Sequence, residues 1–156
     1  MRKRLIGPEP TEKGSGAEAF LDLERLARVE VTSEDPAHPI ESALVPGHGE
    51  GWRAAGPGPQ KVRLLFDEPQ RIRRVHLVFE EPHVERTQEF ALSWVRSGAA
   101  PAALVRQQYT FSPGGATREV EDYAFDLEGA TALELEIVPN MGGGGARASL
   151  VSFRVG

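Results

Sequence analysis

The sequence predicts an all-β fold: a jelly-roll β-sandwich of two antiparallel sheets, with about eight main strands and a short helix near the N-terminus. Three observations carry this expectation. From Arg28 onward the apolar residues recur with a period of two, giving each segment one apolar and one charged or small face, as in antiparallel sheets with one wet side. Seventeen Gly and twelve Pro among 156 residues mean that the chain turns often. Finally, strands do not alternate with helical segments, which argues against a βαβ architecture.

Each element follows in order. Residues 1–16 are charged and broken by Pro8, Pro10, Gly14 and Gly16, with only Leu5 and Ile6 to bury, so they read as a flexible tail ahead of a domain over 17–156. Ala17–Arg28 reads as the helix, with Phe20, Leu23 and Ala27 at i, i+3 and i+7; the alternative is an extra strand holding Phe20, Leu21 and Leu23. Val29 and Val31 open the period-two region. A long turn-rich stretch from Ser33 to Gln60 needs anchors of its own, for which Ile40, Leu44 and Trp52 are available. Brief extended pieces fit it at Glu41–Val45 and Trp52–Ala54. The remaining strands are expected at Lys61–Asp67, Ile72–Glu80, Thr87–Arg96, Leu104–Phe111, Thr117–Leu127, Ala132–Val138 and Ala146–Val155. Short turns join them, among them Glu68-Pro69-Gln70 and Glu128–Ala130.

Composition narrows the function. The chain has no cysteine, which removes disulfides, thiolate catalysis, iron–sulfur clusters and Cys-based zinc sites. A net charge of −5 argues against general affinity for nucleic acid or anionic membrane. The basic start, Met1-Arg2-Lys3-Arg4, has no apolar run behind it, so a cytoplasmic setting is expected. No cofactor is expected.

The runs RVEVTSEDPAHPIESAL, GWRA, GPGPQKVRLLFDEPQRIRRVHLVF and ALELEIVPN…ARASLVSFRV resemble the discoidin, or coagulation factor type C, family of galactose-binding-like jelly rolls. The matching elements are Thr32-Ser33, Trp52, Pro59-Gln60 and Ala148-Ser149-Leu150, and the resemblance spans Ala27 to Val155. It implies that Trp52 packs inward under the long first loop. It also implies a recognition surface among loops at one end of the barrel. Many members hold a structural calcium beside an Asp-Gly turn. Here Leu44-Val45-Pro46-Gly47-His48 offers no carboxylate, leaving carbonyls with Glu41 or Glu50, a poor set for a cation that takes six to eight oxygens. The last loop, Pro139 to Gly145, lacks the aromatic on which sugar-binding members stack a pyranose.

Among candidate sites, FEEPHVER places Glu81, His83 and Arg86 in a polar loop directly after a strong strand, where carboxylate, imidazole and guanidinium groups suit vicinal hydroxyls. With His38 and Asn140 from neighbouring loops these form the expected ligand-binding set. The competing reading is a solvated, ion-paired turn. The histidines His38, His48, His76 and His83 show no metal-ligand spacing, so no metal site is expected. Adjacent carboxylates, Glu80/Glu81 and Glu121/Asp122, point to opposite faces of a strand and cannot flank one glycosidic bond. The tetraglycine Gly142–Gly145 leads into a strand and lacks the Lys and helix of a phosphate loop. Arg71, Arg73 and Arg74, with Arg63 and Arg96, read as an ion-paired wet face. The expected function is non-catalytic recognition of carbohydrate through residues 34–49, 80–86 and 139–145. The alternative is an intracellular protein-interaction or structural domain.

Overall fold

The computed structural model describes residues 20–47 and 49–156. The expected tail at 1–16 and the start of the expected helix lie outside these residues, as does His48. In chain order the elements are α1 (Leu23–Leu26), β1 (Ala27–Val31), α2 (Glu41–Leu44), β2 (Trp52–Pro57), β3 (Gln60–Glu80), β4 (Arg86–Arg96), β5 (Ala102–Phe111), β6 (Arg118–Val138), β7 (Arg147–Leu150) and β8 (Ser152–Val155).

Every strand pairing is antiparallel. The main sheet runs β1-β3-β6-β4-β5, with β8 also on β3, while β2 and β7 form a small second sheet. The 21-residue strands β3 and β6 pair along most of their length. The first half of β3 lies between β1 and β6, and the second half, Val75 to Val78, lies between β6 and β8. The two halves pack face to face: Phe90 of β4 stacks on Phe79 of β3 at 5.3 Å and meets Tyr123 of β6 edge-on at 6.4 Å. Between them Leu64, Ile72, Leu77, Leu92, Leu133, Leu135, Ile137 and Phe153 are fully buried. Each apolar phase read from the sequence faces this core.

Four local expectations change. The turns at Glu68-Pro69-Gln70 and Glu128–Ala130 are bends inside continuous strands. Register slips between Leu65 and Arg74 put Gln70 opposite Ala130, and Gly129 adopts φ +74°, so Pro69 and Gly129 flank the same pair and the paired ribbon bends as one. Among the described residues, the expected helix over Ala17–Arg28 is one turn, Leu23–Leu26, and it ends there because Ala27 already pairs with Phe66 in β1. Glu41–Val45 forms the turn of helix α2 instead of an extended piece, its entry held by Glu34 Oε1, which accepts the Ile40 N–H at 2.9 Å. Ala146–Val155 divides into β7 and β8 where the Val151 N–H donates to Val78 O.

Candidate functional site

The residues that carry the family resemblance meet in space. Trp52 is 1% exposed, and its Nε1–H donates to Ser33 O at 2.9 Å. Ser33 Oγ bonds Gln60 Oε1 at 2.7 Å and accepts the Ala55 N–H at 3.0 Å, while Trp52 pairs with Leu150 and Arg53 with Ser149. Gly51 passes so close to β7 that a Cβ there would stand 2.6 Å from Leu150 O. This knot, with Trp52 packed inward as expected, forms the floor of a cleft.

Two turns wall that cleft. The first reverses between Asp35 and His38, with the Ala37 N–H donated to Asp35 Oδ1 and the His38 N–H to Asp35 O; Arg53 N–H then donates to His38 O, fixing His38 beside β2. The second follows β3. Glu81 Oε2 accepts the N–H groups of His83 at 3.1 Å and Val84 at 3.2 Å, and its Oε1 accepts from Arg86 Nε at 2.9 Å. Burial by itself would raise the Glu81 pKa. The Arg86 guanidinium and these two N–H groups outweigh burial and hold the carboxyl below its ordinary range. The resulting cleft encloses about 220 Å³ and is lined by His38, Glu50, Trp52, Arg53, Glu80, Glu81, His83 and Ser149, among others.

The five expected ligand residues therefore divide. His38, Glu81 and His83 share the cleft. Arg86, expected in an open loop, instead begins β4 with a side chain that is 0% exposed. It lies behind the cleft, donating through Nη1 to Pro139 O at 2.8 Å and to Gln88 Oε1 at 3.3 Å, with its guanidinium 4.9 Å from the centre of the Phe111 ring. Arg86 thus ties the 81–86 loop to the last loop. Asn140 is outside the residues that line the cleft and organises that last loop, its Oδ1 accepting from Thr87 N–H and Gly142 N–H. Sequence reasoning weighed Glu50 only as a calcium donor and did not place Arg53 or Ser149 at the site; only the β2–β7 pairing brings Arg53 and Ser149 together.

Among the described residues no three His, Asp or Glu side chains converge as metal ligands. Of the carbonyls just before the Leu44–His48 stretch, Ile40 O accepts from Ala43 and Leu44 and Glu41 O from Val45, and Leu44–Gly47 carries no carboxylate. The donors present do not fit that ion. Also among the described residues, no helix is long and apolar enough to cross a membrane.

A larger cleft of about 650 Å³ lies beside Arg71, Arg73, Arg74 and Tyr123. Its chemistry is already spent on ion pairs, Arg71 with Asp126 at 2.8 Å and Arg74 with Asp122 at 3.0 Å, as the sequence led us to expect for that face. Arg63 likewise bridges Glu30 and Glu134, and Arg96 stacks on Trp94.

No protein-family model matches the chain, and no curated protein matches it in sequence. Solved structures do match. The family 32 carbohydrate-binding module of Clostridium perfringens NanJ, in complex with galactose, superposes with a TM-score of 0.64 at 12% identity, covering 87% of this chain and 96% of that one. The module CBM32-3 from a family 31 glycoside hydrolase of the same organism gives 0.65 at 16% identity over 90% and 96%. The family 32 module of AlyQ, bound to 4,5-unsaturated mannuronic acid, gives 0.62 at 17% identity over 88% and 97%. The fold is a jelly-roll β-sandwich like that of these modules. In this jelly roll the Trp52 knot anchors the long first loop from below, so that the loop's polar tip at His38 meets the turn after β3.

Proposed function

We propose that this jelly roll is a non-catalytic recognition domain that binds carbohydrate in the cleft between the Asp35–His38 turn and the 81–86 loop. The observation that carries the reading is the convergence there of His38, His83, Glu50 and Arg53 with the ordered carboxylate of Glu81. Sugar hydroxyls are donors and acceptors at once, and a wall mixing imidazole, carboxylate and guanidinium groups satisfies both roles. The bound sugars of the structurally similar modules support the same class of ligand. Two features support a role without chemistry. Glu80 is engaged by Arg118 and Glu81 by Arg86, and Glu81, held below its ordinary pKa, is ionised near neutrality and is not a general acid there. The Ser33–Trp52–Gln60 knot supports kinship with discoidin domains within the wider fold.

Affinity should be weak. Trp52, the aromatic among the cleft residues named above, is almost fully buried, so little stacking surface is offered. Exposed hydrogen bonds contribute about 0.5–1.5 kcal/mol each and must offset the entropy of association, so a monosaccharide Kd on the order of millimolar follows. NMR titration of labelled protein with galactose, glucose and fucose tests this. Shifts clustering at residues 35–38, 50–53, 81–83 and 149–151 are expected. Their absence at concentrations well above the millimolar range would reject sugar binding. It would favour a protein partner, for which Val84 and Met141, 49% and 48% exposed, offer apolar contacts on the flanking loops.

A further inference from the structure

A chain of polar groups runs inward from the cleft. Glu81 is held by Arg86, Arg86 Nη1 donates to Gln88 Oε1, and Gln88 Nε2 donates to Glu119 Oε1 at 3.2 Å. Arg86, Gln88 and Glu119 are all buried, Glu119 at 1% exposure. Two atoms in this chain, Arg86 Nη2 and Glu119 Oε2, are buried without a hydrogen-bond partner. Arg86 is thus paired with one carboxylate, Glu81, and linked to the buried second one, Glu119, only through Gln88, at the point where it also clasps Pro139 O and so joins the two loops.

We propose that Glu119 is a proton-operated latch on the loop end of the sandwich: neutral, it lets Arg86 clasp Glu81 and Pro139, and ionised, it drives that end open and releases the 81–86 and 139–143 loops. That the latch regulates carbohydrate binding rests on the preceding section; the latch itself does not.

The charged groups acting on Glu119 are Glu121, two residues along the same face of β6, and Arg86 from β4; Gln88 is its neutral partner, and Phe79 is its neighbour across the β3 pairing. Tyr123, next along the face, has its own pKa pushed up to about 12 by burial and by the charges of Glu121 and Glu119, consistent with one polar cluster. Burial first, and Glu121 second, push the Glu119 carboxyl up to about 8, against the opposing pull of Gln88 and Arg86. A raised carboxyl favours the closed form below its ordinary pKa, and that advantage is lost as pH climbs towards about 8. Glu119 is the second residue of β6, and Gln88 and Arg86 connect it to the last loop at Pro139.

Amide hydrogen exchange of the ligand-free protein at about pH 6 and about pH 9 tests the latch. Protection factors at His83, Val84, Met141 and Gly143 should fall by about tenfold or more at the higher pH, while core amides such as Leu135 hold. In Glu119→Gln, which cannot ionise, the four amides should keep their protection. Unchanged protection in the parent, or an equal loss in the variant, overturns the proposal. If the variant does not fold, a carbon-13 titration of the Glu119 carboxyl in the parent decides, and a midpoint in the ordinary carboxylate range overturns it. Galactose titrations at both pH values separate the two readings. Loop release without binding at either pH refutes the carbohydrate site and leaves the latch standing.

Discussion

Replacing Arg86 with alanine removes a side chain that holds both the 81–86 loop and the last loop. Glu81 then loses its charged partner while its side chain is only 12% exposed, and Pro139 O and Gln88 Oε1 lose a donor. Removing one partner of a buried ion pair costs about 3–5 kcal/mol. Glu81 keeps the N–H groups of His83 and Val84, which lowers the expected cost to about 2–4 kcal/mol. With a urea m-value of about 2 kcal/mol/M, the unfolding midpoint should move by about 1–2 M. The Glu81 carboxyl should also rise back towards, or above, its ordinary pKa. The stability it contributes through Arg86, present above the unfolded-state value and lost as pH falls through the lower folded value, should shrink accordingly. Arg86→Lys keeps the charge but not the fork, so it should recover only part of the loss. A change below about 1 kcal/mol would mean that the guanidinium is solvated and that the loops are held independently of it.

Trp52→Ala should cost about 3–5 kcal/mol in the same assay, since it empties the floor of the cleft and leaves Ser33 O without its donor; a loss below about 1 kcal/mol would show the ring to be exposed and available to ligands. Chelation with EDTA should leave the melting temperature unchanged, because the carbonyls of Ile40 and Glu41 are already used within α2. A drop of several degrees would reveal a structural cation.

The apolar phases were legible because a one-residue error would turn a whole strand inside out. That constraint holds Phe90 with Leu92, and Leu133 with Leu135 and Ile137, to the core, all of them buried. Bends were not legible. Proline and glycine announce that the ladder is interrupted, but whether the chain reverses depends on the partner strand. Pro69 and Gly129 fall near one another in the pairing, so β3 and β6 bend together and run on. The cleft was legible in halves. His38 and the 81–83 turn stand out as polar groups beside strong strands, whereas Arg53 and Ser149 are separated by most of the chain.

Charged residues in phase with the core were the signal left unread. Arg86 and Gln88 share the alternation of Phe90 and Leu92, just as Glu119 and Glu121 share that of Tyr123 and Phe125; Arg86, Gln88 and Glu119 are buried and Glu121 is half-buried. A charge placed on an inward phase near a strand end must find a partner or neutralise. These two departures answer one another across the sandwich, where Gln88 reaches Glu119 and Arg86 stands beside both. The adjacent pair Glu121/Asp122 draws the eye as a possible acid and base, yet Asp122 faces outward to Arg74. The pair that matters is spaced by two, because period two keeps both carboxylates on the buried face, and that spacing makes the protonation of Glu119 a property of the fold and not of the surface.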